Sequence, residues 1–183
     1  MSSPVLYVIC CAAPPSRDVG GFVTAAKGAG WDVCVLTTPY GGRFVDAEGL
    51  ESLTGHPVRS EYKEPGTPDV LPAADAVVVA PATVNTINKW GAGICDTLAL
   101  GILVEAIGLG IPIVAAPYSN RAHAAHPMFV ENVGRLRSWG VNVLWGETGY
   151  RPHEPKESGG PARYPWAEVL AAVGAADDPP LDS

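Results

Sequence analysis

Short apolar runs alternate with helical segments along this chain, and this order is the feature that most constrains its fold. Five runs have the length and composition of strands, at residues 5–10, 33–37, 76–80, 111–115 and 141–144. The third run is apolar at every position from Ala76 to Ala80, which is typical of a strand buried on both faces of a sheet. Strands separated by helices favour parallel pairing. We therefore predict an α/β fold, with helices on both faces of a parallel sheet.

Small and hydroxylated residues follow the third predicted strand. Right-handed crossovers bring the carboxyl ends of all the strands to one edge, where ligands of open α/β sheets bind. Thr83, Asn85 and Thr86 offer two hydroxyls, an amide and free N–H groups at a helix start, beside the small residue Ala82. This chemistry suits a phosphate or the polar edge of a flavin ring. An ordinary helix cap needs only one such residue, so we predict a binding site.

The turns after the other strands add candidates at the same edge. Ala13 and Ser16 follow the first strand, and Ser16 stands after two prolines that favour a helix entry. Its hydroxyl is predicted either to cap that helix or to bind a phosphate oxygen. Thr38 follows the second strand, and Asn120 follows the fourth.

Composition limits the class of protein. The 183 residues are 47% apolar, which suits one domain, predicted over residues 1–175 with a disordered tail at 176–183. A net charge of −7 argues against partners that need a basic face, such as nucleic acid or an anionic membrane surface. No apolar stretch is long enough to span a bilayer, and the N-terminal residues lack the basic segment of a signal peptide. We expect a cytoplasmic protein.

The four cysteines do not form a metal-binding pattern. Cys10, Cys11, Cys34 and Cys95 show no C-x-x-C spacing, so we predict buried reduced thiols and no metal site. Cys11 stays open for a role at the site, because it lies at the end of the first strand.

Residues 81–96 resemble the PASANT motif of the flavin-containing cysteine decarboxylase family. The motif reads Pro-Ala-Ser/Thr-Ala-Asn-Thr-Ile followed by Gly-x-x-Asp, and only Val84 departs from it. This resemblance implies a Rossmann-like (flavodoxin-like) three-layer sandwich that binds a flavin. The strand-end turns carry no basic fingerprint for a second phosphate and adenosine, which favours FMN. The family also implies a homo-oligomer, a trimer or a multiple of trimers, and predicted apolar surface on helix 86–98 and run 100–109 agrees with this.

Family resemblance also implies roles for individual residues. Thr38 matches the hydroxyl beside the flavin phosphate, and Asn120 in Pro117-x-x-Asn120 matches the residue that binds the substrate carboxylate. The family places a His fourteen positions before the motif's proline, where this chain has Thr67. A threonine hydroxyl is a poor base at neutral pH, so the family's catalytic mechanism is weakened here. His123 is a candidate replacement for acid–base work.

Residues 147–164 are rich in glycine and proline and lack apolar periodicity. We predict a flexible flap over the substrate, in which Arg163 and Tyr164 match the end of the family's substrate-recognition clamp. A solvent-exposed linker is the alternative. The segment has no cysteine, which the resemblance links to oxidative chemistry ending at an enethiol.

Three functions therefore stay open from the sequence. The favoured one is FMN-dependent oxidative decarboxylation, a carbon–carbon lyase activity, of a peptide or small thiol-carboxylate substrate, with a C-terminal peptidyl cysteine preferred. The second is a partner subunit of a mixed trimer, because the chain has Asn120 but has Thr67 in place of the His. The third is an FMN protein with altered redox chemistry.

Overall fold

The computed structural model of the protein describes residues 3–157 and 163–175. The predicted tail at 176–183 and the predicted flap residues 158–162 lie outside the described residues. In the described part, five parallel strands form one sheet in the order β2-β1-β3-β4-β5. Their bounds are β1 Val5–Cys10, β2 Asp32–Thr37, β3 Ala76–Ala82, β4 Ile113–Pro117 and β5 Asn142–Val143. The predicted fold class is confirmed.

Helices cover both faces of the sheet. The seven α-helices described are α1 Val19–Gly28, α2 Ala47–Thr54, α3 Val84–Gly91, α4 Leu98–Leu109, α5 Arg121–Ala124, α6 Pro127–Ser138 and α7 Trp166–Gly174. Alternate residues of β3 enter different cores: Val78 packs with α1, α2 and α7 on one face, and Val79 packs with α3, α4 and α6 on the other. This two-sided burial explains the uninterrupted apolar sequence of the strand.

The predicted helix over residues 86–98 is wrong. The structure ends α3 at Gly91, and Gly93 adopts a left-handed conformation (φ +72°) that a helix cannot continue through. A new helix, α4, begins after Thr97, whose side chain accepts a hydrogen bond from Leu100 N. The chain therefore turns between the two helices, and each packs separately against the sheet.

The connection from α2 to β3 crosses the edge of the sheet. Arg59 pairs with Leu36 of β2 and extends the sheet by one short backbone pairing. The chain then crosses to the face of the sheet that α3, α4 and α6 cover. There the Tyr7 hydroxyl donates a hydrogen bond to Pro72 O (2.6 Å). Thr67 lies on this connection and is exposed.

Close packing of α3 on α6 gives a stability prediction. A Cβ added at Gly91 would lie 2.6–2.8 Å from Oδ1, Cγ and Cβ of the buried Asn132 side chain. We expect Gly91→Ala to lower the free energy of unfolding by ~1–3 kcal/mol, because α3 must move away from α6. Gly134→Ala is the matched control in α6, where the added methyl meets open space. It should raise stability by ~0.5–1 kcal/mol through lower backbone entropy of the unfolded chain. Denaturant unfolding measures both, and equal effects would contradict the packing argument.

Candidate functional site

The loop after β2 folds back onto the end of β1. Thr38 N donates to Cys10 O (3.0 Å), and Thr38 Oγ1 accepts a hydrogen bond from Gly41 N (3.2 Å). A Cβ at Gly41 would lie 2.4 Å from Cys10 O, so only glycine permits this approach. The half-buried Thr38 hydroxyl thus lies beside the first strand end, as the predicted site requires.

Thr37, the last residue of β2, has a buried hydroxyl without a partner. Its side chain is 1% exposed, and its Oγ1 makes no hydrogen bond to the described residues. A buried hydroxyl without a partner is costly, and in a native site it commonly indicates a ligand or water contact.

A hydrogen-bonded network joins the loops after β1 and β3. The Cys11 Sγ lies 3.2 Å from Thr86 Oγ1, which lies 3.1 Å from Thr83 Oγ1. Thr83 is the N-cap of α3 and accepts a hydrogen bond from Thr86 N (3.3 Å). Burial raises the pKa of the Cys11 thiol, although hydrogen bonds from Thr86 and Thr83 oppose the rise. Cys11 therefore stays a neutral thiol within the network.

Two of the predicted cofactor residues face inwards. Ser16 is fully buried, and its hydroxyl donates to Cys11 O (2.7 Å) instead of capping a helix or pointing at the rim. The helix-cap role expected for Ser16 is therefore wrong, and its contact with a cofactor phosphate stays a prediction. Ala13 is buried next to it, and its N–H donates to Cys11 O (2.8 Å). Cys11 O thus organises the turn after β1.

The start of α3 presents the remaining predicted groups. Ala82 is fully buried at the end of β3, and its carbonyl accepts a hydrogen bond from Tyr118 N (2.9 Å). Asn85 is exposed in the first turn of α3. Its amide is therefore free to meet a ligand, while Thr83 and Thr86 lie half-buried and buried behind it.

Asn120 has a defined side-chain orientation. It is the N-cap of α5, and its Oδ1 accepts a hydrogen bond from His123 N (2.9 Å). The carbonyl side of the amide is therefore occupied, and Nδ2 is the group available as a donor. His123 itself is exposed.

The surroundings of Thr67 do not suit it to act as a catalytic base. Its hydroxyl donates to Glu64 O (2.7 Å) within a local turn, and the residue is exposed. This hydrogen bond explains Thr67 as a turn residue.

Beside Asn120 lies an aromatic cluster that the sequence did not predict, formed by Tyr118, Tyr150, His153 and Tyr164. Tyr118 lies 4.7 Å from Tyr150 and 5.1 Å from His153 between ring centroids. The Tyr150 hydroxyl lies 2.8 Å from His153 Nδ1. His153 also pairs with Asn120 through the backbone, where Arg121 N donates to His153 O (2.8 Å). In the sequence, the available signal for this cluster was the presence of Tyr150, His153 and Tyr164 within residues 147–164.

The described part of the predicted flap is anchored to the body of the protein. Tyr150 is buried, and the Arg121 guanidinium forms a bidentate ion pair with Glu154 (2.7 and 2.9 Å). Tyr164 is 7% exposed, and its hydroxyl donates to Ala116 O (2.6 Å). This hydrogen bond supports the end of β4, and the substrate contact of Tyr164 stays a prediction. Arg163, next to it, is exposed.

Sequence comparison agrees with this geometry. A sequence model of the Flavoprotein family matches residues 24–175. The chain belongs to the Flavoprotein family. It is 33% identical over 149 residues to the coenzyme A biosynthesis bifunctional protein CoaBC of Mycolicibacterium smegmatis, which covers 79% of this chain and 34% of the relative. It is 26% identical over 155 residues to a probable phosphopantothenoylcysteine decarboxylase of Streptococcus mutans, covering 76% of this chain and 81% of that one. The chain spans about a third of the bifunctional relative.

Solved structures of this family share the fold. The FMN-dependent cysteine decarboxylase TvaF from thioviridamide biosynthesis has a TM-score of 0.75 and 25% identity, over 96% of this chain and 99% of that chain. The epidermin biosynthesis protein EpiD from Staphylococcus aureus has a TM-score of 0.64 and 24% identity, over 76% and 81% of the two chains. The predicted resemblance to flavin-containing cysteine decarboxylases is confirmed. Family membership supports a flavin cofactor, and the hydroxyl, amide and N–H groups of the site fit one.

Residues 3–157 and 163–175 contain no group of three His, Cys, Asp or Glu side chains placed to hold a metal ion. Within the same residues, no helix has the length and apolar character needed to cross a membrane.

The unpartnered Thr37 hydroxyl gives a test of the flavin site. Thr37→Val keeps the shape of the side chain and removes the hydroxyl. We expect the flavin-free protein to keep or gain stability, because a buried oxygen without a partner is lost. If the Thr37 hydroxyl contacts the bound flavin, its removal should raise the dissociation constant for the flavin about tenfold, or ~1.4 kcal/mol. Flavin fluorescence titration and thermal unfolding of the flavin-free protein measure the two effects.

Thr54→Val is the matched control for this substitution. Thr54 is also buried, but its hydroxyl donates to Leu50 O (2.8 Å). Its loss should cost about 1 kcal/mol of stability and leave flavin affinity unchanged. Unchanged flavin affinity in Thr37→Val would show that the Thr37 hydroxyl does not contact the flavin.

Proposed function

We propose that this protein binds FMN and catalyses the oxidative decarboxylation of a cysteine-derived thiol, with a C-terminal peptidyl cysteine as the favoured substrate. One observation carries the proposal. Tyr118 N donates to Ala82 O (2.9 Å), so the segment leading to Asn120 is joined to the strand end that leads to Thr83 and Thr86. A carboxylate-binding amide and a flavin-binding loop would therefore face the same space. When bound, the flavin supplies the oxidant that accepts a hydride from the substrate.

The residues of this chain divide the remaining work. Thr38, beside Thr37, would hold the phosphate end of FMN, and Thr83, Asn85 and Thr86 would hold its ring. The Asn120 Nδ2 would donate to the substrate carboxylate, because Oδ1 is occupied by His123 N. The exposed Arg163 is a further candidate for binding an anionic substrate.

We also propose a homo-oligomer, a trimer or a multiple of trimers. An apolar cleft of about 300 Å³ is lined by side chains of α3, α4 and the end of α6, including Trp90, Val104 and Trp139. Leu109 at the end of α4 is 68% exposed. Apolar surface of this kind supports contact with another copy of the chain.

A second function is favoured by the environment of Thr67. Its hydroxyl is used in a local turn, which argues against its acting as a base in place of the family's His. In this alternative the chain is a partner subunit that supplies Asn120 to a mixed trimer. Activity would then appear only after mixing with a His-bearing paralogue.

The identity of the cofactor is directly testable. We expect the purified protein to be yellow and to release FMN on denaturation, because the strand-end loops offer hydroxyl and amide groups for one phosphate and one ring. Chromatography of the released chromophore against FMN and FAD standards measures this. Release of mostly FAD, or failure of the flavin-free protein to bind FMN, would contradict the proposed site.

The role of Asn120 requires a substitution that preserves its cap. Asn120→Asp retains an oxygen for His123 N, but it places a negative charge against the substrate carboxylate. We expect kcat/KM for a peptide ending in cysteine to fall by about a hundredfold, or ~2.7 kcal/mol, with FMN still bound. Carbon dioxide release and flavin content measure the two quantities.

Asn120→Ser is the control for the cap, because serine also caps helices but cannot place an amide donor at the same reach. Its stability should match that of Asn120→Asp, and its activity should also be low. An Asn120→Asp protein that releases carbon dioxide at the rate of the unmodified protein would contradict the carboxylate role of Asn120.

A further inference from the structure

His153 is restrained at three points, beside the residue proposed to bind the substrate carboxylate. Its backbone pairs with Asn120, and its carbonyl accepts a hydrogen bond from Arg121 N (2.8 Å). Its ring packs on Tyr118, with the centroids 5.1 Å apart. Its Nδ1 lies 2.8 Å from the Tyr150 hydroxyl. An imidazole held in this way has little rotational freedom, which is what a positioned acid–base group requires.

The other imidazoles of the described chain have different surroundings. His56 Nε2 lies 2.8 Å from Asp32 Oδ1, at the start of β2 and so at the opposite edge of the sheet. His126 Nδ1 accepts a hydrogen bond from Met128 N (3.2 Å) as a helix cap. His123 is exposed, and only its backbone N–H contacts Asn120. Among these side chains, His153 has both a fixed ring and a hydroxyl partner.

We propose that His153 is the residue that accepts and returns the substrate thiol proton, with Tyr150 as its positioning partner. This proposal rests on the proposed function. This role requires the tautomer in which His153 Nδ1–H donates to the Tyr150 oxygen, across the 2.8 Å that separates the two atoms. Nε2 then carries the lone pair. His153 is half-buried, and no hydrogen bond joins its Nε2 to residues 3–157 or 163–175.

The raised pKa values of the Tyr150 and Tyr118 hydroxyls agree with this arrangement. Burial raises the pKa of Tyr150, and the neighbouring Tyr118 hydroxyl raises it further. Burial also raises the pKa of Tyr118, while the Tyr150 hydroxyl opposes that rise. Both therefore keep their hydrogens at neutral pH and act as neutral hydrogen-bonding groups.

In the proposed reaction, every proton and electron pair that leaves one group is accepted by another. The S–H bond of the substrate breaks and an N–H bond forms at His153 Nε2, which leaves a thiolate and an imidazolium. The thiolate carbon loses a hydride to the oxidised flavin that the proposed function supplies, and a C=S bond forms. Loss of carbon dioxide leaves its electron pair on the neighbouring carbon, which gives an enethiolate. The enethiolate sulfur then takes the proton back from His153, so the residue ends in its starting state.

The first test measures the imidazole itself and needs no flavin. Long-range proton–nitrogen NMR of the flavin-free protein should show His153 as the neutral Nδ1–H tautomer. Tyr150→Phe should shift His153 towards Nε2–H, because the acceptor of the Nδ1 proton is lost. An Nε2–H tautomer in the unmodified protein would overturn the proposal, because the free nitrogen would then lack a lone pair.

The second test uses the flavin-loaded protein and a peptide ending in cysteine. His153→Gln should lower kcat by about a hundredfold or more, in the range of a lost acid–base group, with a small change in KM. Added imidazole should restore part of the kcat of His153→Ala, which a purely structural defect would not allow. His56→Gln is the matched control, with activity expected to be unchanged.

The outcomes separate the two proposals. An unmodified protein without activity overturns the proposed decarboxylation together with this role of His153. An active protein whose His153→Gln variant keeps its kcat overturns only the role of His153. A loss of kcat without rescue by imidazole, accompanied by loss of stability, assigns His153 to structure and also overturns the inference.

Discussion

Backbone hydrogen bonds to the end of the central strand hold the candidate site together. Cys11 N donates to Pro81 O (3.1 Å), and Tyr118 N donates to Ala82 O (2.9 Å), on opposite sides of β3. Thr38 N then donates to Cys10 O (3.0 Å) and attaches the loop after β2. Four strand ends are thus joined beyond the regular sheet. Because these bonds are made by buried main-chain groups, the loops keep their relative positions without a ligand.

The side chains of the site depend on this frame. Thr86 lies close enough to Cys11 for a hydroxyl–thiol hydrogen bond only because the first and third strand ends are adjacent (3.2 Å). In the same way, β4 places Tyr118 and Asn120 next to the start of α3. The tyrosines then occupy the space beside β4 and hold His153 against Asn120. Polar groups and an aromatic cluster therefore lie on one sheet edge.

Several features were predictable because they depend on local sequence. The strand at Ala76–Ala82 was identified from continuous apolar residues, since both of its faces are buried. Thr83 was identified as a cap because its hydroxyl satisfies a backbone N–H only three residues away. The break between α3 and α4 was missed, although Gly93 and the Thr97 cap both mark it in the sequence. The helix cap expected at Ser16 was also wrong, because its buried hydroxyl donates to Cys11 O instead.

The sequence by itself determined the parallel α/β fold, the edge that carries the site and the family to which the chain belongs. Each of these depends on the order of residues along the chain, through periodicity and through a motif of consecutive positions. Only the tertiary structure decided that His153 lies against Asn120 and that Thr37 has a buried hydroxyl without a partner. The physical reason is that these facts depend on contacts between segments distant in sequence. Such contacts are set by the packing of the sheet and its covering layers, which no local pattern records.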